Sequence, residues 1–216
     1  MAGRCDSGRV RSMTDSRSES NLKIGGILLA AGGSSRLGKP KQLLQFQGRS
    51  LIRIAADTLT NSLCRPIVVV LGAETDRSAF EVADLPVGVC VNGEWQTGMG
   101  SSIRSGLQYL LGNDPGLDAI VIALCDQPHV TAADIDSLIT EFITTTSPII
   151  AARYGGIVGV PALFSKAVFG ELLGLDGDKG ARRIIRSRPD DVRTVTIETA
   201  AIDIDTPDDA DRLNMA

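Results

Sequence analysis

The chain has 216 residues, of which 43% are hydrophobic, enough for the core of one α/β domain with some elaboration. Its 22 basic and 26 acidic residues give a net charge of −4, which excludes a global positive field for nucleic acid. No apolar run approaches the roughly 20 residues needed to cross a bilayer, so no membrane partner is expected. Any anion site must therefore be a local concentration of cations.

Cysteine and histidine usage gives no sign of a zinc site or a disulfide framework. The four cysteines are scattered without a C-x-x-C pair, and His129 is the single histidine. We expect Cys64, Cys90 and Cys125 to be buried or partly exposed thiols. Residues 1–21 lack the apolar core of a secretory signal, so we expect a disordered tail and a cytosolic (cytoplasmic) protein.

A short apolar run is followed directly by a cationic loop. Residues 27–29 have the length and branching of a buried strand. Arg36, Lys39 and Lys41 follow among glycines and serines, and no carboxylate in the loop cancels their charge. A loop of this kind at the carboxyl end of a strand can turn its N–H groups toward an anion, so we predict a phosphate site.

Three interpretations of this loop are distinguished by the spacing of its glycines and cations. Gly33-x-x-x-x-Gly38-Lys39 matches the first seven positions of a P-loop, but Pro40 stands where a hydroxyl should bind magnesium. The dinucleotide fingerprint G-x-G-x-x-G fails because Gly32 and Gly33 are adjacent. A plain strand-to-helix turn with solvated charges remains open.

Helical and strand patterns then alternate along the chain. This alternation predicts an α/β fold, a three-layer Rossmann-like, open, mostly parallel sheet with helices on both faces, in which the first four strands have the order 3-2-1-4. Later strands are expected at residues 67–71, 87–91, 118–124, 149–152, 155–164 (an irregular turn and strand), 192–197 and 202–204, and helices at 48–61, 76–83, 101–111, 131–143, 165–173, from 178 and from 206.

Acidic residues follow the fourth strand and lie near the end of the chain. Asp126 is the first charge after seven apolar or sulfur residues, and it is either a turn former before Pro128 or a magnesium ligand. Asp203 and Asp205 alternate on an extended segment, which places both on one face. The residues after them are explained by a helix start.

The opening loop resembles the signature L-x-A-G-x-S-x-R-x-G-x-x-K of nucleotidyltransferases that activate sugars, isoprenoids and molybdopterin. The residues that carry this signature are Leu28, Ala30, Gly32, Ser34, Arg36, Gly38 and Lys41. Over residues 23–213 the chain resembles the molybdenum cofactor cytidylyltransferases of the MobA-like family, in the nucleotide-diphospho-sugar transferase superfamily. The resemblance implies a single domain over 22–216, with an NTP-binding half (22–130) and an acceptor-binding half (131–216).

The resemblance also implies a reaction: transfer of CMP from CTP to the terminal phosphate of molybdopterin or molybdenum cofactor, with release of pyrophosphate. Guanylyl transfer from GTP, nucleotidyl transfer to a sugar or alcohol phosphate, and a non-catalytic cofactor carrier are the alternatives. A molybdoenzyme or its chaperone would be the protein partner.

The implied site residues fall into four groups. The catalytic residues are Arg36, Lys41 and Asp126, and the ligands of Mg²⁺ are Asp126, Asp205 and Asp203. The nucleotide would be bound by Leu28, Ala30, Ala31, Gly32, Gly33, Ser34, Gly38, Lys41, Gly100 and Ser102, and the acceptor by Gly156, Gly159, Pro161, Asp178, Lys179 and Arg182.

Several residues near these positions depart from the family or have simpler explanations. Ser101 or Ser102 could instead cap a helix, and Trp95 could simply pack. Val160 replaces a usual histidine, which weakens the acceptor assignment. His129 replaces a usual leucine and is expected to be a capping or surface histidine.

Overall fold

The computed structural model describes residues 22–33, 40–204 and Asp209. Several sequence predictions lie outside these residues: the disordered tail, the catalytic Arg36, the metal ligand Asp205, the helix expected from residue 206, and the loop residues Ser34, Gly38 and Lys39.

Strands and helices alternate through most of the described chain. The strands are β1 (Ile24–Ala30), β2 (Gln45–Phe46), β3 (Arg49–Ser50), β4 (Ile67–Leu71), β5 (Gly88–Val91), β6 (Ala119–Leu124), β7 (Ile149–Tyr154), β8 (Ile157–Ser165) and β9 (Val192–Thr196). The helices are α1 (Leu51–Thr60), α2 (Thr75–Glu81), α3 (Met99–Asn113), α4 (Ala132–Thr145), α5 (Phe169–Leu173) and α6 (Ala181–Ser187).

The large sheet has seven strands in the order β5-β4-β1-β6-β8-β7-β9. Strands β5, β4, β1 and β6 run parallel to one another and lie in this order, which confirms the predicted order 3-2-1-4. The irregular strand expected at 155–164 is instead the nine-residue β8, which lies antiparallel between β6 and β7. Strands β7 and β9 are parallel again, so the sheet is mostly parallel, as predicted.

Two hydrophobic clusters cover the two faces of this sheet. Because side chains alternate along a strand, Leu28 of β1 packs in one cluster with α1 and α4, while Ile27 packs in the other with α3, α5 and α6. Strand β1 is buried along its whole length. Helices on both faces exclude water from the central strands, which gives the predicted three-layer architecture.

Helix starts follow the local chemistry of the sequence. The Ser50 side chain accepts a hydrogen bond from the N–H of Arg53 at the start of α1. Thr131 and Asp134 form the predicted capping box at the start of α4. Among the described helices, none is long and apolar enough to cross a membrane.

Three local predictions are wrong. Helix α3 begins at Met99, after Gly98 at the N-cap, so neither Ser101 nor Ser102 caps it. Residues 202–204 pair with no strand in the described part of the chain, because the one backbone bond that Ile204 donates goes to the loop residue Asp126. The expected helix over 48–61 is shorter, because residues 45–50 form the hairpin of β2 and β3.

Candidate active site

A cleft opens beyond the carboxyl ends of β1 and β6, two neighbouring parallel strands. From β1 the chain turns toward one edge of the sheet through β4 and β5, whereas β6 leads toward the other edge. This reversal of strand order is where open α/β sheets bind ligands. The cleft has a volume of about 360 Å³.

The predicted opening-loop residues and the predicted metal aspartate share this cleft. Ala30, Ala31, Gly32 and Gly33 line it from the end of β1, and Asp126 lines it from the end of β6. The N–H of Cys125 donates to the carbonyl of Leu29 at 3.3 Å, which joins the two strand ends just before Asp126. Strand pairing thus brings together residues that are almost 100 positions apart.

Asp126 forms an ion pair with Lys41 on the floor of the cleft. The Nζ atom of Lys41 lies 2.8 Å from Oδ2 of Asp126, and the two side chains are only 15% and 24% exposed. The other carboxylate oxygen, Oδ1, is buried and has no hydrogen-bond partner among the described residues. A buried carboxylate oxygen is energetically costly unless it has a partner, so this atom is suited to bind a cation.

A hard divalent cation fits this carboxylate. The described residues contain no group of three or more His, Cys, Asp or Glu side chains placed to hold a metal. Mg²⁺ typically binds one or two carboxylates and completes its shell with substrate phosphates and water. The Asp126 carboxylate therefore fits a cation that shares its ligands with a bound nucleotide.

The segment that carries Asp203 returns to the same strand end. Ile204 is buried and its N–H donates to the carbonyl of Asp126 at 3.0 Å. Asp203 is exposed and precedes this contact, and Asp205 follows it in sequence. The structure thus brings Ile204, the residue after Asp203, to the backbone of Asp126.

A short 3₁₀ turn over Lys41–Leu43 presents Lys41 to the cleft. Gln42 in this turn is buried, lines the cleft, and donates from Nε2 to the carbonyl of Ala73 at 3.1 Å. The anchor fixes the turn against the loop after β4, which limits the positions that the neighbouring lysine can take. Sequence reasoning missed Gln42, because it directly follows the charged loop residues Lys39 and Lys41 and nothing local indicates that it is buried.

Close backbone contacts bring the distal loop 176–180 onto the first turn of α3. Gly98 has φ +120°, and a Cβ there would lie 2.5 Å from the backbone carbon of Gly177. The N–H of Gly100 donates to the carbonyl of Gly177 at 3.2 Å. Only glycine fits position 98, because both its backbone conformation and the close approach exclude a side chain. This docking places Asp178 in the cleft.

Ser102 lines the cleft from the first turn of α3. The buried Asn92 donates from Nδ2 to Oγ of Ser101 at 2.8 Å and to Oγ of Ser102 at 3.0 Å. Asn92 also accepts from the N–H of Glu94 at 2.9 Å, so its side chain ties the loop before α3 to the helix. Sequence reasoning missed Asn92, because an Asn-Gly pair at a strand end also predicts a simple turn.

Trp95 packs against other residues, as anticipated, and its indole lies where the chain leaves β1. A Cβ at Gly33 would lie 2.4 Å from Cη2 of Trp95, and a Cβ at Gly72 would lie 2.6 Å from its Cγ. The indole therefore requires glycine at both positions and lies across the ends of β1 and β4. The side chain is half-buried and lines the cleft.

Most of the predicted acceptor residues do not line the cleft. Of the six, only Asp178 is among the described lining residues. Gly156 lies at the turn between β7 and β8, beside a separate pocket that Arg153 and Arg186 also line. Pro161 borders a small void next to Gln127. Gly159 lies against Arg182, whose Nε would be 2.8 Å from a Cβ there, and Lys179 contributes its carbonyl near Gly100.

Two predicted nucleotide residues lie behind the cleft wall. Leu28 is fully buried in the core, so its side chain cannot contact a ligand in the cleft. Gly100 is covered by the 176–180 loop. The neighbouring Leu29 and Gly98 line the cleft instead.

His129 is neither a capping nor a surface histidine, contrary to expectation. It is half-buried, its ring centroid lies 5.2 Å from that of Phe46 in an edge-on arrangement, and its Nε2 has no hydrogen-bond partner among the described residues. Cys125 lines the cleft, and burial, with a smaller contribution from the charge of Asp126, raises the pKa of its thiol to about 12. The thiol is therefore neutral at pH 7 and is a poor nucleophile. Cys64, Cys90 and Cys125 are free thiols, as predicted.

Comparison with known sequences identifies relatives over most of the chain. Residues 26–192 match the model of the MobA-like NTP transferase domain. Nicotine blue oxidoreductase of Paenarthrobacter nicotinovorans is 32% identical over 205 residues, which cover 88% of this chain and 96% of that protein. The purine catabolism protein PucB of Bacillus subtilis is 28% identical over the same shares. A probable molybdenum cofactor guanylyltransferase of Bacillus cereus is 26% identical, covering 62% of this chain and 70% of that protein.

Solved structures share the fold. Rv0371c of Mycobacterium tuberculosis H37Rv superposes with a TM-score of 0.78 at 32% identity, covering 90% of this chain and 99% of that one. A complex of the same protein with manganese gives a TM-score of 0.75 at 30% identity, covering 90% and 100%. A nucleotidyl transferase from Methanothermobacter, at 19% identity and a TM-score of 0.74 over 90% and 97%, supports the fold alone. The chain therefore belongs to the MobA-like NTP transferase family.

Proposed function

We propose that this protein transfers CMP from CTP to the terminal phosphate of molybdopterin or molybdenum cofactor and releases pyrophosphate in a Mg²⁺-dependent reaction. One observation carries the proposal: at the switch point of the sheet, beside the cation of Lys41, Asp126 has a buried oxygen without a partner among the described residues. A carboxylate for a metal and a lysine for phosphate are the charges that nucleotidyl transfer needs in one cleft.

Lys41 has a defined part in this proposal. Its Nζ forms an ion pair with Oδ2 of Asp126. When a triphosphate enters, the lysine exchanges part of this contact for phosphate oxygens, and the carboxylate is available to the cation. The backbone of Gly32 and Gly33, with Arg36 further along the loop, supplies further contacts to the phosphates.

The cation would be held by Asp126 with Asp205 or Asp203. When bound, it supplies neutralisation of the charge that develops on the transferred phosphate. The acceptor is itself a phosphate and needs no general base, which agrees with the neutral Cys125 and with His129 packed on Phe46. Catalysis by this chain is thus positioning and electrostatics.

Residues in the first turn of α3 would select the base of the nucleotide. Ser102 lines the cleft with its hydroxyl oriented by Asn92, which suits it to read the edge of a base. Guanylyl transfer from GTP is the nearest alternative, since a relative at 26% identity is named a probable guanylyltransferase. Nucleotidyl transfer to a sugar or alcohol phosphate uses the same charges in the cleft.

A second candidate function is hydride transfer from a nicotinamide dinucleotide. It is favoured by one observation: the relative that is 32% identical over 96% of its own length is named an oxidoreductase. A hydride transfer would leave the Lys41–Asp126 pair without a chemical role. A carrier that binds the cofactor without consuming nucleotide is a third possibility, which the same pair disfavours.

Trp95 provides a direct test of nucleotide choice, because it is the single tryptophan and lines the cleft. Its emission should change with CTP and Mg²⁺ at lower concentrations than with GTP, ATP or UTP. Emission that responds to NADH or NADPH and to no triphosphate would favour the oxidoreductase.

Turnover is tested with Mg²⁺, each of the four triphosphates and molybdenum cofactor, scoring pyrophosphate and the nucleotide attached to the cofactor. We expect CMP attachment that depends on Asp126. Binding of the cofactor without release of pyrophosphate would overturn the proposal in favour of the carrier.

A further inference from the structure

Gln127, the residue after Asp126, is buried and faces away from the cleft, and neither the family resemblance nor the proposed reaction gives it a role. Its side chain is only 4% exposed. Its Nε2 donates to the carbonyl of Ala200 at 2.8 Å and to the carbonyl of Val160 at 3.3 Å. One amide thus joins the end of β6 to β8 and to the turn at Glu198–Ala201.

The contact with Val160 belongs to a longer hydrogen-bond chain. The hydroxyl of the buried Tyr154 also donates to the carbonyl of Val160, at 3.1 Å, and accepts from Nη2 of Arg182 at 3.1 Å. Gln127 is therefore bonded to the backbone of β8, with both protons of its amide group engaged. A buried amide satisfied in this way has a fixed orientation.

The contact with Ala200 bears on the acidic segment. Four residues after Ala200, the N–H of Ile204 donates to the carbonyl of Asp126 at 3.0 Å. Two consecutive residues, Asp126 and Gln127, thus hold the returning chain at two points. In the sequence, Asp203 lies between these two points of attachment.

We propose that Gln127 is a positioning residue for the divalent cation: it anchors the 200–204 segment so that Asp203 reaches the cation held by Asp126. The inference rests on the proposed function in that it assigns the cation to Asp126. Without the anchor, the segment must be ordered each time the cation binds, at a cost in conformational entropy. Removal of such outer contacts typically weakens metal binding by about 10- to 100-fold.

The test compares Gln127→Met with Gln108→Met. Methionine keeps the length of the side chain and removes both donated bonds, and Gln108 lies on the exposed side of α3. The probe is Mn²⁺ itself, followed by electron paramagnetic resonance of the free ion, with and without CTP. We expect the dissociation constant for Mn²⁺ to rise by about 10- to 100-fold in Gln127→Met and by less than about twofold in Gln108→Met.

Hydrogen exchange supplies a readout that does not depend on metal or activity. The amide of Ile204 should exchange faster in Gln127→Met by on the order of tenfold, while amides of β1 keep their protection. Excess Mg²⁺ should restore kcat, because the defect lies in the affinity for the cation.

A lowered melting temperature with unchanged Mn²⁺ affinity would mean that Gln127 only stabilises the fold, and would overturn the inference. If Gln127→Met fails to fold, Asp203→Asn decides, and an unchanged Mn²⁺ affinity in this variant overturns the inference. Mn²⁺ binding that Asp126→Asn does not weaken also overturns it. Asp126-dependent Mn²⁺ binding without nucleotidyl transfer would instead defeat the proposed function and leave this inference standing.

Discussion

The two halves of the molecule build the cleft in different ways. In residues 22–130, parallel strands in the order 3-2-1-4 deliver Gly32, Gly33 and Asp126 to one edge of the sheet, and Lys41 follows on an anchored turn. In residues 131–204, β8 runs antiparallel, and of the predicted acceptor residues only Asp178 lines the cleft. In the first part, repeated βα units place the cleft residues at the ends of parallel strands. The distal part contributes Asp178 from a loop that packs closely against Gly98 and Gly100.

The largest expected effect concerns residues 22–130. Asp126→Asn keeps the shape of the side chain but removes the charge that would hold the cation, so pyrophosphate release with Mg²⁺ should fall roughly a thousandfold. Asp114→Asn is the control, because Asp114 pairs with Lys23 at 2.9 Å on the surface away from the cleft. Turnover of Asp126→Asn near the wild-type rate would refute the metal role.

The junction between the halves should be sensitive to a single methyl group. Gly98→Ala forces a Cβ against the backbone of Gly177 at a φ of +120°, so the free energy of unfolding should fall by about 2–4 kcal/mol. Gly112→Ala is the matched control in the same helix, where a Cβ meets nothing within 4 Å, and it should stabilise by about 0.5–1 kcal/mol. Urea denaturation measures both, and equal stabilities would show that the docked loop is not fixed.

A substitution at Asp178 tests whether this residue contacts the acceptor or the nucleotide. Asp178→Asn should raise the KM for the acceptor by about tenfold, because a contact in the cleft is lost, and should change CTP affinity by less than about twofold. Asp190→Asn, an exposed residue of the same half, is the control. A change confined to CTP would assign Asp178 to the nucleotide.

The smallest effect concerns Cys125, where the pKa is raised from the usual 9.0 to about 12. Because the folded pKa lies above the unfolded one, the neutral thiol contributes stability below about pH 9, and this is lost as the pH rises toward 12. At pH 8, iodoacetamide should alkylate the half-buried Cys90 at least about tenfold faster than Cys125 in the folded protein. Mass spectrometry of the two peptides measures the ratio, which should approach one in urea.

Local pattern was enough to predict the parallel half and the start of the site. The apolar runs before the opening loop and before Asp126 mark buried strands, and the rule that parallel strands end at one edge predicts their proximity. The capping box at Thr131 is likewise encoded within four residues. Ser101 and Ser102 misled the prediction, because a hydroxyl near a helix start can bond within the turn instead of capping it.

The sequence by itself determined the fold class, the family signature and the residue types of the site, because each depends on short-range periodicity or on chain order. Only the tertiary structure decided that β8 runs antiparallel, that Lys41 pairs with Asp126, that Trp95 requires glycine at positions 33 and 72, and that Gln127 donates to the carbonyl of Ala200. Each of these depends on contacts between residues far apart in the chain, whose geometry is set by packing rather than by local preference.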